Sequence, residues 1–157
     1  MREMHTDELI EAYARRSDDP VKQVVCILYD LDDHGLIAWG TNQIITTFKE
    51  KAPVWCDEVV STPLHPAKKL IMQHAEISAL AELKRIRRLI NRNHIGAYVS
   101  LQPCLDCVRA IVPYVSEIRW KEDNRHQDEQ SLISLVSRKV FTKYEKQENG
   151  LTLTLPI

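Results

Sequence analysis

Two short clusters bring together residue types that do chemistry: His74-Ala75-Glu76 and Pro103-Cys104-Leu105-Asp106-Cys107. In a reducing compartment a C-x-x-C pair points to metal or redox chemistry before it points to a structural disulfide. Cys104 and Cys107 are three residues apart, so on a helix they share one face. At the N-terminus of that helix the unpaired N–H groups and the dipole favour both as thiolates. Pro103 suits such a start, where the first turn needs no donor. His74 and Glu76 are two apart, a spacing that sends side chains to nearly opposite sides of a regular helix. They can serve one site only where a helix begins at the pocket, so a helix start or a distortion is expected close to His74. The alternative is a separate short element at residues 67–73. A C-x-x-C pair alone is more often structural zinc or redox chemistry, and a structural zinc takes four protein ligands. A fourth would have to come from Cys26, Cys56, His65 or His94, none at a fixed short spacing from the pair.

Together the clusters reproduce the H-x-E and P-C-x-x-C signature of zinc deaminases. From its first strand to about Trp120 the chain resembles the cytidine and deoxycytidylate deaminase superfamily. The resemblance implies that His74, Cys104 and Cys107 hold Zn²⁺ as a tripod of one neutral imidazole and two thiolates, leaving the fourth tetrahedral position open. It implies that Glu76 stays off the metal and moves protons. Glu76 takes one from a water whose pKa the zinc lowers, protonates the ring nitrogen, and delivers a proton to the departing ammonia. One catalytic zinc is expected. Cys56 and His65 are the residues from which a second metal site, of the kind attributed to some phage deoxycytidylate deaminases, would be built; the single-site reading is preferred. Cys26, inside an apolar strand, reads as a buried small hydrophobe.

The resemblance also suggests the substrate contacts. Trp39-Gly40-Thr41-Asn42 is similar to the family's G-x-N element. The Asn of that element hydrogen-bonds a sugar hydroxyl and part of the base, and the role carries over to Asn42; an Asn serving only a turn is the alternative. Gln43 stands where the deoxycytidylate branch usually has Gly. The family reads the base edge mainly with backbone groups near the positions of Ala75 and Gln102, so Gln102 in place of the more usual Ser, Thr or Glu is compatible. For a phosphate, Lys49, Lys51, Lys68, Lys69 and Arg109 are candidates, each with a solvated basic face as its alternative role. Trp55 serves either to pack on a base or sugar or to anchor its loop. Arg85, Arg87 and Arg88 are assigned to solvent or a subunit interface.

The activity implied is zinc-dependent hydrolytic deamination of a free pyrimidine nucleotide, deoxycytidylate to deoxyuridylate with release of ammonia. Competing readings are deamination of cytidine, of a nucleobase, or of a base in tRNA or single-stranded DNA. A different class is a noncatalytic, zinc-stabilised deaminase-like subunit, against which Glu76 argues, because a structural metal has no need of an unligated acid.

The elements that must position these residues fit one fold class. At 157 residues with 44% apolar and 27% charged, the chain is an ordinary globule of one deaminase domain, with a core at about 21–120 and a C-terminal helix and strand at about 127–157. Val24–Tyr29 and Leu36–Ile45 read as a hairpin, after a short helix over Thr6–Arg16. Thr46–Pro66, with its prolines and no stable period, reads as a long functional loop with room for some local helix. Ala67–Ile90 is helical in pattern. Ile95–Leu101, Cys104–Ile111 and Val115–Trp120 form a strand, helix, strand unit, which implies parallel pairing through a right-handed crossover. A helix over Asp128–Lys139 and a strand over Leu151–Leu155 follow. The expected fold is a three-layer α/β/α sandwich, a mixed five-stranded sheet with helices on both faces, whose last pair runs parallel.

Charge is nearly balanced, 21 Lys and Arg against 22 Asp and Glu, and aromatics are 6%, so the composition offers little to a polynucleotide. No apolar run approaches the ~20 residues of a membrane span, and Met1–Ile10 carries acids where a secretory leader would be basic then apolar. A cytoplasmic homo-oligomer acting on a small-molecule nucleotide is expected, the oligomer on the strength of the resemblance.

Overall fold

The computed structural model describes residues 6–86, 94–122, 143–147 and 150–154. In chain order the elements are α1 (Thr6–Ala14), β1 (Val25–Asp30), β2 (Leu36–Thr41), β3 (Gln43–Ile44), α2 (Thr46–Lys51), α3 (Pro53–Ser61), α4 (Lys68–Ile71), β4 (Met72–Gln73), α5 (Ala75–Arg85), β5 (Ile95–Leu101), α6 (Leu105–Ile111), β6 (Glu117–Glu122), β7 (Lys143–Gln147) and β8 (Gly150–Thr154). The main sheet has the order β2-β1-β5-β6-β8-β7, and β3 and β4 make a separate ribbon.

Val25 to Tyr29 is buried residue after residue, the pattern of a strand covered on both faces. On one face Leu9, Ile10 and Tyr13 of α1 pack over Val25, Ile27, Tyr29 and Tyr98, and the Tyr13 ring stacks on Trp39 at 3.9 Å. On the other face Ala79 and Leu83 of α5, with Val108 and Ile111 of α6, close over Cys26, Leu28, Val99 and Trp120. Helices therefore lie on both faces, giving the three-layer sandwich. β5 and β6 are parallel through α6, as the strand, helix, strand order implies. No helix among the described residues is long and apolar enough to cross a membrane.

Four expectations are corrected. The main sheet has six strands where five were expected, because Lys143–Gln147 adds an edge strand antiparallel to β8. Its sequence signal is only the Asn149-Gly150 dipeptide ahead of the alternating Leu151–Leu155 run, since Lys143–Gln147 is polar apart from Tyr144 and shows no alternation. β8 pairs with β6 antiparallel, so the last pair does not run parallel. The helix expected at 128–139 lies outside the described residues. Thr46–Pro66 is more helix than loop: α2 and α3 take up Thr46–Lys51 and Pro53–Ser61. Pro53 occupies the first turn of α3, where its missing N–H costs nothing, and Cys56, Val59 and Val60 fall on one buried stripe. Finally, the helical pattern from Ala67 is broken in two, α4 and α5, by the short strand β4. His74 is the N-cap of α5 with extended backbone angles of φ −68° and ψ 155°.

Gly40 decides how closely α5 meets the sheet. A Cβ there would sit 2.3 Å from the Ala79 nitrogen and 2.7 Å from the Ala75 carbonyl oxygen, so helix backbone rests on strand backbone. Flexible side chains could yield to a methyl group; these backbone atoms cannot. Gly40→Ala is therefore expected to lower unfolding free energy by about 3 kcal/mol or more, the upper part of the overpacking range, measured by urea denaturation.

Candidate active site

Two helices begin at the site. His74 caps α5 and Cys104 caps α6, the latter also extended at φ −71° and ψ 163°. Each cap residue's carbonyl already accepts a first-turn bond, from Ser78 N–H to His74 and from Val108 N–H to Cys104, both at 3.0 Å. Glu76 and Cys107 then stand in the first turns. This resolves the two-residue spacing: His74 precedes the helix and Glu76 lies within it, so both reach one place.

His74 Nδ1 lies 3.1 Å from Cys107 Sγ and 3.5 Å from Cys104 Sγ. All three donor atoms fall within 4.8 Å of one another, and among the described residues they are the one such cluster of His, Cys and acidic side chains. Tetrahedral Zn²⁺ with ordinary bond lengths sets imidazole nitrogen and thiolate sulfur about 3.6 Å apart. The donor set and its spacing therefore fit zinc. His74 is exposed, Cys104 half-buried and Cys107 buried, so the cluster opens to solvent on the histidine side. Hydrogen bonds from Cys107 and His74 hold the Cys104 thiol down to about 4. Cys107 is pushed up by its bond to Cys104 and by burial, while His74 is raised chiefly by its bond to Cys104. The negative charge thus concentrates on Cys104, with His74 Nδ1 and Cys107 sharing protons toward it.

Glu76 is only 3% exposed, and burial raises its carboxyl pKa against the opposing pull of Cys107 and His74. It is not one of the three clustered donors. A buried acid beside an open tripod is suited to passing protons at a reacting atom. Cys26, fully buried in β1, feels the Glu76 charge, so it lies beneath the acid as a small core residue.

The expected substrate residues take different places. Asn42 is buried and engaged with the chain itself. Its Oδ1 accepts from Val24 N–H at 3.0 Å and from the Ser17 hydroxyl at 2.5 Å, and its Nδ2 donates to the Lys22 carbonyl at 2.7 Å. Ala75 is buried at the first position of α5, where its N–H has no acceptor within the helix. Gln102 is buried after β5, and its N–H donates to the Glu122 carbonyl at 2.8 Å. Of the cations, Lys49 pairs with Asp18 at 3.4 Å, Lys68 with Asp19 at 3.1 Å and Arg109 with Asp106 at 3.6 Å. Lys51 and Lys69 are exposed. Cys56 is buried with Ile44, Val59 and Ile71, and His65 Nδ1 accepts the Ala67 N–H at 3.0 Å, so both serve the local fold. Trp55 is 38% exposed on α3.

Sequence reasoning gave Gln73 no role and marked Gln43 only as a departure from the family's usual Gly. They are paired across the ribbon and line an open cleft of about 500 Å³ together with Ser78 and Arg85 of α5, and Gln73 Nε2 donates to Ser78 Oγ at 3.1 Å. No motif marks Gln73; its place beside Gln43 comes from β3 meeting β4, the two residues being thirty positions apart in sequence.

Residues 2–118 match the family model for the cytidine and deoxycytidylate deaminase zinc-binding region. The fold is similar to the crystal structure of dCMP deaminase from the cyanophage S-TIM5 in complex with dCMP and dUMP. That match has 18% identity, a TM-score of 0.60, and coverage of 87% of this chain and 94% of that one. The apo form of the same phage enzyme matches at 16% identity and a TM-score of 0.58, covering 86% and 94%. A structure from work on A-to-I editing by tRNA:A34 deaminases at the tRNA wobble position matches at 18% identity and a TM-score of 0.51, covering 81% and 82%. No curated protein matches the chain by sequence. With its zinc-binding region matched over most of its length and a donor cluster that fits the metal, the chain belongs to the cytidine and deoxycytidylate deaminase family.

Proposed function

We propose that the protein hydrolytically deaminates a free pyrimidine nucleotide, deoxycytidylate to deoxyuridylate, with one water consumed and one ammonia released. The observation that carries this is Glu76, buried and unligated beside a three-donor cluster that fits zinc. Family membership supports deamination, and the fold shared with the cyanophage enzyme supports the nucleotide.

His74, Cys104 and Cys107 would hold the zinc, which supplies Lewis acidity that brings a water toward ionisation near neutral pH. Glu76 accepts one proton of the attacking water and donates it to the ring nitrogen as the amine-bearing carbon becomes tetrahedral; it then takes the second proton, from the oxygen now bonded to that carbon, and delivers it to the amine as the carbon–nitrogen bond breaks, leaving a carbonyl and ammonia. Its raised pKa brings its protonated form nearer the working pH, which favours the donating steps. Ala75, through its unused N–H, and Gln102 contact the base edge. Asn42 has both acceptor sites on Oδ1 filled and one of its two Nδ2 hydrogens committed, so one hydrogen is left for a sugar oxygen. The protein works as a single deaminase domain in a cytoplasmic homo-oligomer, where reducing conditions keep both thiols available to the metal.

Ammonia release by the zinc-loaded protein on an equimolar panel tests this: deoxycytidylate, cytidylate, cytidine, deoxycytidine triphosphate, cytosine, guanine and deoxyadenylate. Preference for deoxycytidylate is expected. Turnover of cytidine or a free base instead removes the nucleotide from the assignment. Silence across the panel with zinc bound would replace it by a base in a polynucleotide or by a noncatalytic role.

A further inference from the structure

The chain leaves the main sheet after Thr41 and comes back against it with α5, whose N-cap is His74. Between them residues 43–73 form an excursion whose two ends are tied by the β3–β4 ribbon, Gln43 against Gln73 and Ile44 against Met72. The excursion has its own apolar cluster, Ile44, Cys56, Val59, Val60 and Ile71, with Phe48, Ala67 and Met72 around it. Among the described residues this cluster shares no member with the one under α5 and α6. Hydrophobic packing thus holds the excursion together, and something else must set its position against the sheet.

That role falls to three consecutive residues after α1. The Ser17 hydroxyl bonds Asn42, and Asp18 N–H donates to the Asn42 carbonyl at 3.1 Å. The Asp18 carboxylate accepts Ile44 N–H at 2.9 Å and meets Lys49 of α2. Asp19 is the buried member. One of its oxygens takes Val21 N–H at 2.8 Å and Lys22 N–H at 3.0 Å, and the other meets Lys68 Nζ at 3.1 Å. Side-chain exposure of this pair is 5% for Asp19 and 18% for Lys68, so solvent screens it little. Lys68 opens α4, a single turn followed at once by Met72, Gln73 and His74. Asp18 therefore fixes where the excursion leaves, and Asp19 fixes where it comes back.

We infer that Asp19 and Lys68 are positioning residues for the metal centre: their buried ion pair sets the path of α4 and β4 and through it the placement of His74. Downstream of His74 the helix is seated by Gly40 against Ala75 and Ala79, which leaves the upstream side as the one the ion pair controls. The inference rests on the proposed role of His74 as a zinc ligand.

The test is zinc affinity by chelator competition, together with the visible spectrum of the Co²⁺-loaded protein, for wild type, Lys68→Met, Lys68→Arg and His74→Ala. Lys68→Met keeps the chain length and removes the charge. It should weaken zinc binding about tenfold, the lower end of what lost ligand support costs, and shift the Co²⁺ bands. Lys68→Arg should restore both. If Lys68→Met does not fold, Lys68→Gln, which keeps a donor toward Asp19 without the charge, is read in its place. A Lys68→Met protein that melts earlier yet keeps wild-type affinity and spectrum would overturn the inference and leave the pair a merely structural one. Undiminished zinc uptake by His74→Ala would instead overturn the ligand assignment itself, and the inference with it.

Discussion

Replacing Glu76 with Gln should cut ammonia release by at least about a thousandfold while zinc stays at the wild-type stoichiometry. Positioned proton transfer contributes about 10²–10⁴ in rate, and Glu76 is asked to act at more than one step, so the loss belongs in the upper part of that range. Gln has the same shape and can still hydrogen-bond to Cys107, so the 3%-exposed site should keep its packing. What it cannot do is take up and release a proton. Normal turnover by this variant would sink the mechanism; loss of zinc together with turnover would make Glu76 a structural support of the metal site.

The same substitution has a signature in stability. Burial raises the Glu76 pKa above its ordinary 4.5, so the folded chain binds that proton more tightly than the unfolded chain does. The stability this contributes is present below 4.5 and is lost as pH rises through the elevated folded value. In chelator-treated protein, Glu76→Gln should therefore match wild type in mild acid and become the more stable of the two near neutrality. Urea midpoints at several pH values measure it, and the opposite order would mean that Glu76 is stabilised as the anion.

Removing zinc should make Cys104 the most reactive thiol of the chain. Cys26 and Cys56 are fully buried and Cys107 is 2% exposed, whereas Cys104 is half-exposed. Its thiol is held at about 4, so it is a thiolate throughout the neutral range. Its alkylation rate in chelator-treated protein should change less than about twofold between pH 6 and 8, where an ordinary thiol with pKa near 8.5 would gain roughly eightyfold. Loading zinc should suppress the reaction at least tenfold. It should also raise unfolding free energy by about 3–4 kcal/mol once free zinc exceeds its Kd by 100–1,000-fold. Labelling mapped by peptide mass spectrometry decides it: equal modification with and without zinc would remove Cys104 from the ligand set.

The core of the site was legible because its spacing is local. Cys104 and Cys107 share a helix turn wherever that helix lies, and the two-residue gap between His74 and Glu76 demands a helix start, which the structure supplies at Ala75. The alternating and apolar runs of β1, β2, β5 and β6 marked the sheet for the same reason. The helices over 46–66 were hidden because prolines read as breakers in sequence, and only the neighbouring turns show that Pro53 occupies a first-turn position.

What the sequence by itself determined is therefore the residue set: an imidazole, two cysteines and an acid, at spacings that two helix starts bring together and that match one family's signature. What only the tertiary structure decided is who is free to use that set's surroundings. In sequence the whole Asn42 amide is open to a ligand; in the fold Ser17, 25 residues away, and Lys22, 20 residues away, take up most of it and leave one hydrogen. Lys49 and Lys68, in sequence candidates for a phosphate or for a solvated basic face, meet Asp18 and Asp19 in the fold. A side chain's spacing along one helix is set by the backbone it belongs to. Its hydrogen-bond and charge partners arrive from distant segments, and only folding brings them within reach.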